Sequence, residues 1–312
     1  MRKSFRSRAG RDEDGGRRAG VNLEVAEGEI FGFLGPNGAG KTTTLRMLAT
    51  LIEPDGGEAT IAGADLRKDP AEVRRRIGYV PQGGSTWDES TAREELVLHA
   101  RMYGIGKADA QRRAARALDA FQLTEYADRK CKTYSGGQRR RVEIALGIIH
   151  EPKIVFLDEP TTGLDPQSRA HMWDEIRRLR GDGMTVFITT HYLDEADALC
   201  DRIAIMDNGE LVAEGTPAAL KREISGDVVL VGLDLAATPQ AAQALDGEAY
   251  VNKLETADEG GLRLYVDEGA TAIPQVLRRL DHAGLELRSI ELHRPSLDDV
   301  FLTKTGRSLR ES

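Results

Sequence analysis

The sequence predicts an α/β fold with a largely parallel sheet, followed by a smaller α+β domain. Three features carry the prediction. Between residues 21 and 216, short apolar runs alternate with helical stretches, as in strands joined by crossover helices. A glycine-rich loop at 35–43 separates one such run from one such helix. After about residue 226 the order becomes strand, helix, two strands, helix, strand, which is the ferredoxin-like plan.

Residues 1–19 are rich in Arg, Gly and Ser, show no apolar periodicity, and predict an irregular or disordered arm without a strand. Its basic residues are interrupted by Asp12, Glu13 and Asp14, which argues against a targeting peptide. Strands are predicted at 29–34, 76–80, 153–158, 184–190 and 202–206, and Asn208 with Gly209 signals a hairpin into Leu211 and Val212. After the glycine loop, Leu45, Leu48 and Leu51 mark one face of a helix. Residues 83–133 read as helices only, one of them opened by a capping box at Thr91 and Glu94, so a separate helical lobe is expected. In the final domain strands are expected at 228–235, 249–256, 262–266 and 286–292, with helices at 238–245 and 271–283. Ile273, Val276, Leu277 and Leu280 line the second helix, and Ser296 with Asp299 opens a short terminal one.

The 312 residues suffice for two domains, and the net charge of −8 argues against a nucleic-acid partner. No apolar run approaches the roughly 18 residues that span a bilayer. Cys131 and Cys200 are far apart and in no metal-like spacing, as in a reduced cytoplasmic protein.

The loop reads Gly35, Pro36, Asn37, Gly38, Ala39, Gly40, Lys41, Thr42, Thr43, the pattern G-x-x-x-x-G-K-[ST] between a strand and a helix. Its amides and the helix N-terminus suit a polyphosphate. Lys41 is expected to reach the β and γ phosphates and Thr42 to ligate Mg²⁺. Downstream, the apolar strand 154–157 ends in Asp158 and Glu159. Asp158 is expected to hold the Mg²⁺ shell and Glu159 to polarise the attacking water. Ser135, Gly136, Gly137 and Gln138 open a helix and form a second candidate anion site. One nucleotide does not need two such sites from one chain, so a dimer is expected in which Ser135 caps the phosphate held by the partner copy. His191 ends strand 184–190, suited to contact the γ-phosphate; Gln82, at another strand end, suits a place near Mg²⁺ and the attacking water. Gly163, Leu164, Asp165 and Pro166 read as an interface turn.

With these residues in this order, the chain resembles the nucleotide-binding subunits of ABC transporters. Residues 35–43 resemble Walker A, Gln82 the Q-loop, 135–138 the signature motif, and 154–159 Walker B with its catalytic glutamate. Residues 163–166 resemble the D-loop and His191 the switch histidine. The resemblance implies a P-loop NTPase (ABC ATPase) core over 20–222, a helical subdomain at about 83–135 that contacts a membrane subunit, and an accessory domain over 226–306. It also implies a homodimer that closes on ATP and Mg²⁺, coupled to an integral membrane permease at the cytoplasmic face of the membrane. Tyr134, in place of a common leucine, and the ending from Ser296 to Arg307 resemble the daunorubicin-resistance-type exporters.

One departure concerns the base. Family members carry a first strand and an adenine-stacking aromatic before the loop, whereas residues 1–19 offer only Phe5. Stacking is worth about 1–3 kcal/mol per base, so weaker ATP affinity, or weaker discrimination against GTP, is expected. Two other functions are weighed. Cassettes acting on ribosomes or DNA carry two cassettes or a long inserted coiled coil, and neither is present. A regulatory or degenerate subunit is at odds with intact Lys41, Asp158, Glu159 and His191.

Overall fold

The computed structural model describes residues 2–4, 18–224, 226–256, 261–306 and 308–309. Two compact units emerge, one extending to Thr216 and the other beginning at Pro217.

The first unit opens with β1 (Arg2–Ser4) and β2 (Arg18–Gly20), paired antiparallel with Arg2 opposite Gly20. The sequence predicts no strand there. Backbone pairing needs no apolar alternation, which is the only signal that sequence periodicity reports. Phe5 lies outside the described residues. Then follow β3 (Ile30–Leu34), α1 (Lys41–Leu48), the short hairpin β4 (Thr60–Ile61) and β5 (Ala64–Asp65), α2 (Pro70–Arg76) and β6 (Ile77–Val80). The helices α3 (Ala92–Met102) and α4 (Lys107–Ala120) precede α5 (Gly136–Ile148). The unit continues through β7 (Ile154–Asp158), α6 (Pro166–Gly181), β8 (Thr185–Thr190), α7 (Leu193–Leu199), β9 (Arg202–Asp207) and β10 (Glu210–Gly215).

Six strands form one sheet in the order β10-β9-β3-β8-β7-β6, parallel except for β10. The hairpin into β10 turns at Asn208 and Gly209, both at positive φ. All five residues of β3 and all six of β8 are buried, as expected of parallel strands covered on both faces. Phe31, Phe187 and Phe156 stand in register across β3, β8 and β7, and Phe33 packs edge-on against Phe187 at 4.8 Å. Such aromatic pairs contribute about 0.5–1.5 kcal/mol beyond their area. On α1, Leu45 and Leu48 are buried, but Leu51 lies past the helix end and is exposed, because the helix stops at Leu48. The capping box of α3 forms: Glu94 N donates to Thr91 Oγ1, and Thr91 N donates to Glu94.

The second unit holds α8 (Pro217–Ile224), β11 (Asp227–Gly232), α9 (Thr238–Leu245), β12 (Lys253–Thr256), β13 (Leu262–Val266), α10 (Gly269–His282), β14 (Ser289–His293) and α11 (Leu297–Thr305). Its antiparallel sheet has the order β12-β13-β11-β14, the ferredoxin-like arrangement. The turn at 257–260 lies outside the described residues. Val276 and Leu280 of α10 are buried against this sheet, whereas Leu277 is 40% exposed, one position off the inward face. Ser296 caps α11 as its spacing with Asp299 predicts.

Candidate functional site

Parallel strands deliver their carboxyl ends to one edge of the sheet, and the candidate residues sit there. The loop after β3 is held by close backbone contact. A Cβ on Gly35 would stand 2.3 Å from the carbonyl oxygen of Met206, so no larger residue fits. Gly40, at φ 103°, precedes α1 and supplies no side-chain cap, leaving the first-turn amides of the helix free for an anion. Pro36 and Ala39 are buried, and Asn37 and Gly38 are exposed at the loop tip.

Lys41 is buried and folds back over the loop, donating to the carbonyls of Gly35 at 2.6 Å and Pro36 at 3.0 Å. Burial pushes its ammonium below the usual lysine range, opposed by the carboxylates of Glu159 and Asp158. Its Nζ lies 3.8 Å from Glu159 Oε1. Thr42 Oγ1 donates to Asp158 Oδ1 at 2.9 Å. Thr43 is the next helical residue, half-buried.

Glu159 is the node of the cluster. Its Oε2 accepts from Gln82 Nε2 at 2.7 Å and from Thr162 Oγ1 at 3.0 Å. His191 Nδ1 lies 3.3 Å from the same oxygen without hydrogen-bond alignment. The Glu159 backbone occupies the left-handed region at φ 45°, an uncommon conformation for a non-glycine residue and one that clusters at functional sites.

Asp158 is fully buried. Its Oδ1 accepts from Thr42 and, at 2.7 Å, from Thr189, while its Oδ2 has no hydrogen-bond partner among the described residues. A free carboxylate oxygen beside a hydroxyl fits a hard cation such as Mg²⁺, which takes one or two protein oxygens plus phosphate and water. No group of three or more His, Cys, Asp or Glu that could hold a metal occurs among the described residues.

The structure thus brings together Lys41, Thr42, Gln82, Asp158, Glu159 and His191. It does not bring Ser135, Gly136, Gly137, Gln138 or Asp165 to them: among the described residues no hydrogen bond or ion pair joins 135–138 to 35–43. Instead Ser135 Oγ accepts from Gln138 N at 3.2 Å and caps α5, and Ser135 N donates to Gln138 Oε1 at 3.0 Å. Asp165 is exposed and caps α6 through Ser168 N at 2.9 Å. The starts of these two helices are neighbours, since a Cβ on Gly137 would stand 3.0 Å from Ser168 Oγ.

Thr189 and Thr162 escape the sequence reading as site residues. Thr189 pairs with Asp158 in the β7–β8 register, and its Oγ1 also accepts from Glu159 N at 3.0 Å. A threonine one position before the end of β8 is its only signal; Thr162 has none.

Comparison with known proteins identifies the family. Residues 19–162 match the family described as ABC transporter, and residues 215–305 match the C-terminal domain of DrrA1-3-like ATP-binding proteins. The daunorubicin/doxorubicin resistance ATP-binding protein DrrA of Streptomyces peucetius is 46% identical over 92% of this chain and 87% of its own length. The linearmycin resistance ATP-binding protein LnrL of Bacillus subtilis is 37% identical, covering 94% of each chain. Among solved structures, a dimeric ATP-binding cassette in a post-hydrolysis state with ADP and phosphate superposes with a TM-score of 0.60 at 29% identity, over 69% of this chain and 95% of that one. The chain belongs to the ABC transporter family of ATP-hydrolysing subunits, in its daunorubicin-resistance-type branch.

Proposed function

We propose that this ATPase powers efflux of a lipophilic, drug-like compound through a separate membrane permease, by closure of two copies on Mg-ATP. The observation that carries the reading is the convergence of Lys41, Gln82 and His191 on the Glu159 carboxylate, beside the half-free Asp158. Lys41 is positioned to leave the carbonyls of Gly35 and Pro36 for the β and γ phosphates. Glu159, acceptor-only when ionised, orients and deprotonates the attacking water. Gln82 holds that carboxylate by its hydrogen bond, and His191, 3.3 Å from the same oxygen, contacts the γ-phosphate. Thr42, Asp158 and Gln82 would hold Mg²⁺, which supplies charge neutralisation of the phosphates. Ser135, with the amides of Gly136 and Gly137, is exposed to meet the nucleotide of a second copy, and Asp165 lies beside it in the same face. The dimeric relative supports this pairing.

Export is supported by relatives named for resistance to daunorubicin, doxorubicin and linearmycin. No described helix is long and apolar enough to cross a membrane. Leu98 and Met102, one turn apart on α3, are 46% and 73% exposed, as suits the docking of an apolar partner surface and attachment at the cytoplasmic face.

Replacing Glu159 by Gln tests the reading. Phosphate release should fall on the order of 10²–10⁴-fold, the usual contribution of a general base. ATP should then trap a dimer visible by light scattering. Undiminished turnover, or a variant that stays monomeric in saturating Mg-ATP with and without the permease, would overturn it.

A further inference from the structure

We infer that Arg140 and Glu143 form a buried clamp that sets Gln82 and Glu159 at their mutual distance, making Arg140 a positioning residue for hydrolysis. The inference rests on the roles given above to Gln82 and Glu159. Arg140 lies in the first half of α5, the helix that Ser135 opens. An arginine is rarely buried unless its donors are met. Here the side chain is 8% exposed, and every partner belongs to the machinery around Glu159 or to its own helix.

The guanidinium spans two strand ends. Nη1 donates to the Pro81 carbonyl at 2.7 Å, Nη2 to Asp158 O at 3.0 Å, and Nε to Pro160 O at 2.9 Å. Pro81 directly precedes Gln82, while Asp158 and Pro160 bracket Glu159. One rigid fork therefore grips the backbone on both sides of the carboxylate and on one side of the amide. Glu143, 4% exposed, accepts from Nη1 at 2.9 Å and neutralises the buried charge. Its other oxygen accepts a long bond of 3.4 Å from Ser85 N, three residues beyond Gln82.

The consequence follows from geometry. The 2.7 Å bond between Gln82 and Glu159 depends on two backbones separated by 77 residues, and it persists only while their strand ends stay in place. A misplacement of about 1 Å at such a site lowers turnover by orders of magnitude. The clamp also ties these strand ends to α5, so the helix whose N-terminus meets a second copy and the backbone that aims Glu159 share one rigid connection. Lysine cannot substitute, because a point charge on a flexible stem does not span carbonyls from two strands.

The test uses the purified full-length chain with Arg140→Lys, Glu143→Gln and Glu159→Gln. Arg140→Lys is expected to lower kcat by about tenfold or more, the scale of a lost charge-assisted bond, while the Kd for ATP stays within about twofold. A purely structural residue would lower Tm and ATP affinity together with kcat. Wild-type kcat in Arg140→Lys, or a loss of kcat matched by an equal loss of affinity, overturns the clamp. Should Arg140→Lys fail to fold, Glu143→Gln decides: it keeps the shape and removes the charge. A severalfold fall in kcat at unchanged Kd supports the clamp, and unchanged kcat overturns it. Glu159→Gln separates the two ideas. If it is inactive while Arg140→Lys is fully active, only the clamp fails; if it hydrolyses ATP normally, the site reading itself fails, and the clamp with it.

Discussion

Gln82 Nε2 donates to Glu159 Oε2 across 2.7 Å, joining the ends of β6 and β7. These strands are neighbours in the sheet, with Val80 opposite Leu157, so each side chain projects just past the paired register. The bond holds one oxygen of Glu159 and leaves the other toward Lys41.

Removing the amide should therefore act through Glu159. Gln82→Ala is expected to lower kcat about tenfold, the effect of one hydrogen bond to a charged group, with ATP affinity little changed. Combined with Glu159→Gln it should add almost nothing, because residues acting as a unit are non-additive. Phosphate-release kinetics on the four proteins check this, and fully additive losses would show that the two act independently.

The free Oδ2 of Asp158 gives a metal prediction. Asp158→Asn removes the charge while keeping the shape. The Mg²⁺ concentration for half-maximal ATPase activity should rise about tenfold or more, since a hard cation loses its one anionic protein ligand. ATP binding measured in EDTA should stay the same. A variant with unaltered Mg²⁺ dependence would exclude Asp158 as a ligand.

Ser135 caps α5, and that role can be separated from contact with a second copy's nucleotide. Aspartate is as good an N-cap as serine, so Ser135→Asp should preserve stability to within a few tenths of a kcal/mol in urea unfolding. Its negative charge would face the γ-phosphate across the closing dimer and repel it. In the Glu159→Gln background, this variant is expected to stay monomeric in Mg-ATP by light scattering. Dimer formation equal to that of Glu159→Gln alone would remove Ser135 from the interface.

The two cysteines supply a pH prediction. Burial pushes the Cys131 thiol up to about 12 and the Cys200 thiol well above its ordinary value. A thiol raised on folding stabilises the native state below its unfolded pKa, and this stability is lost as pH rises through the folded value. Stability should therefore decline as pH increases from about 9 toward 12, through Cys131. At pH 8 both thiols should resist alkylation in the native protein and react once it is unfolded, because only the thiolate attacks. Rapid native labelling at pH 8 would contradict their burial.

Some elements are legible because their cause is local. The capping boxes of Thr91 and Ser296 are set by residues three apart, and the Asn208–Gly209 turn by backbone preference alone. Apolar periodicity marks Val142, Ala145 and Leu146 on the buried side of α5, with Ile149 buried just past its end. Other elements have no such signal. The β4–β5 hairpin is two residues per strand, too short for any period, and α2 carries one buried apolar residue, Val73. Arg140 sits in α5, and from sequence it is indistinguishable from Arg139 and Arg141 beside it, which are only half-buried.

The sequence by itself determined the phosphate loop, the acid pair Asp158 and Glu159, the serine-glycine helix start and the change of plan after residue 226, because each is written in contiguous residues. Tertiary structure alone decided that Gln82, Glu159 and His191 meet, that Thr189 binds Asp158, and that Ser135 and Asp165 point elsewhere. Strand order β3-β8-β7-β6 is chosen by which apolar faces bury together, and that choice, made across long stretches of chain, fixes which strand ends become neighbours.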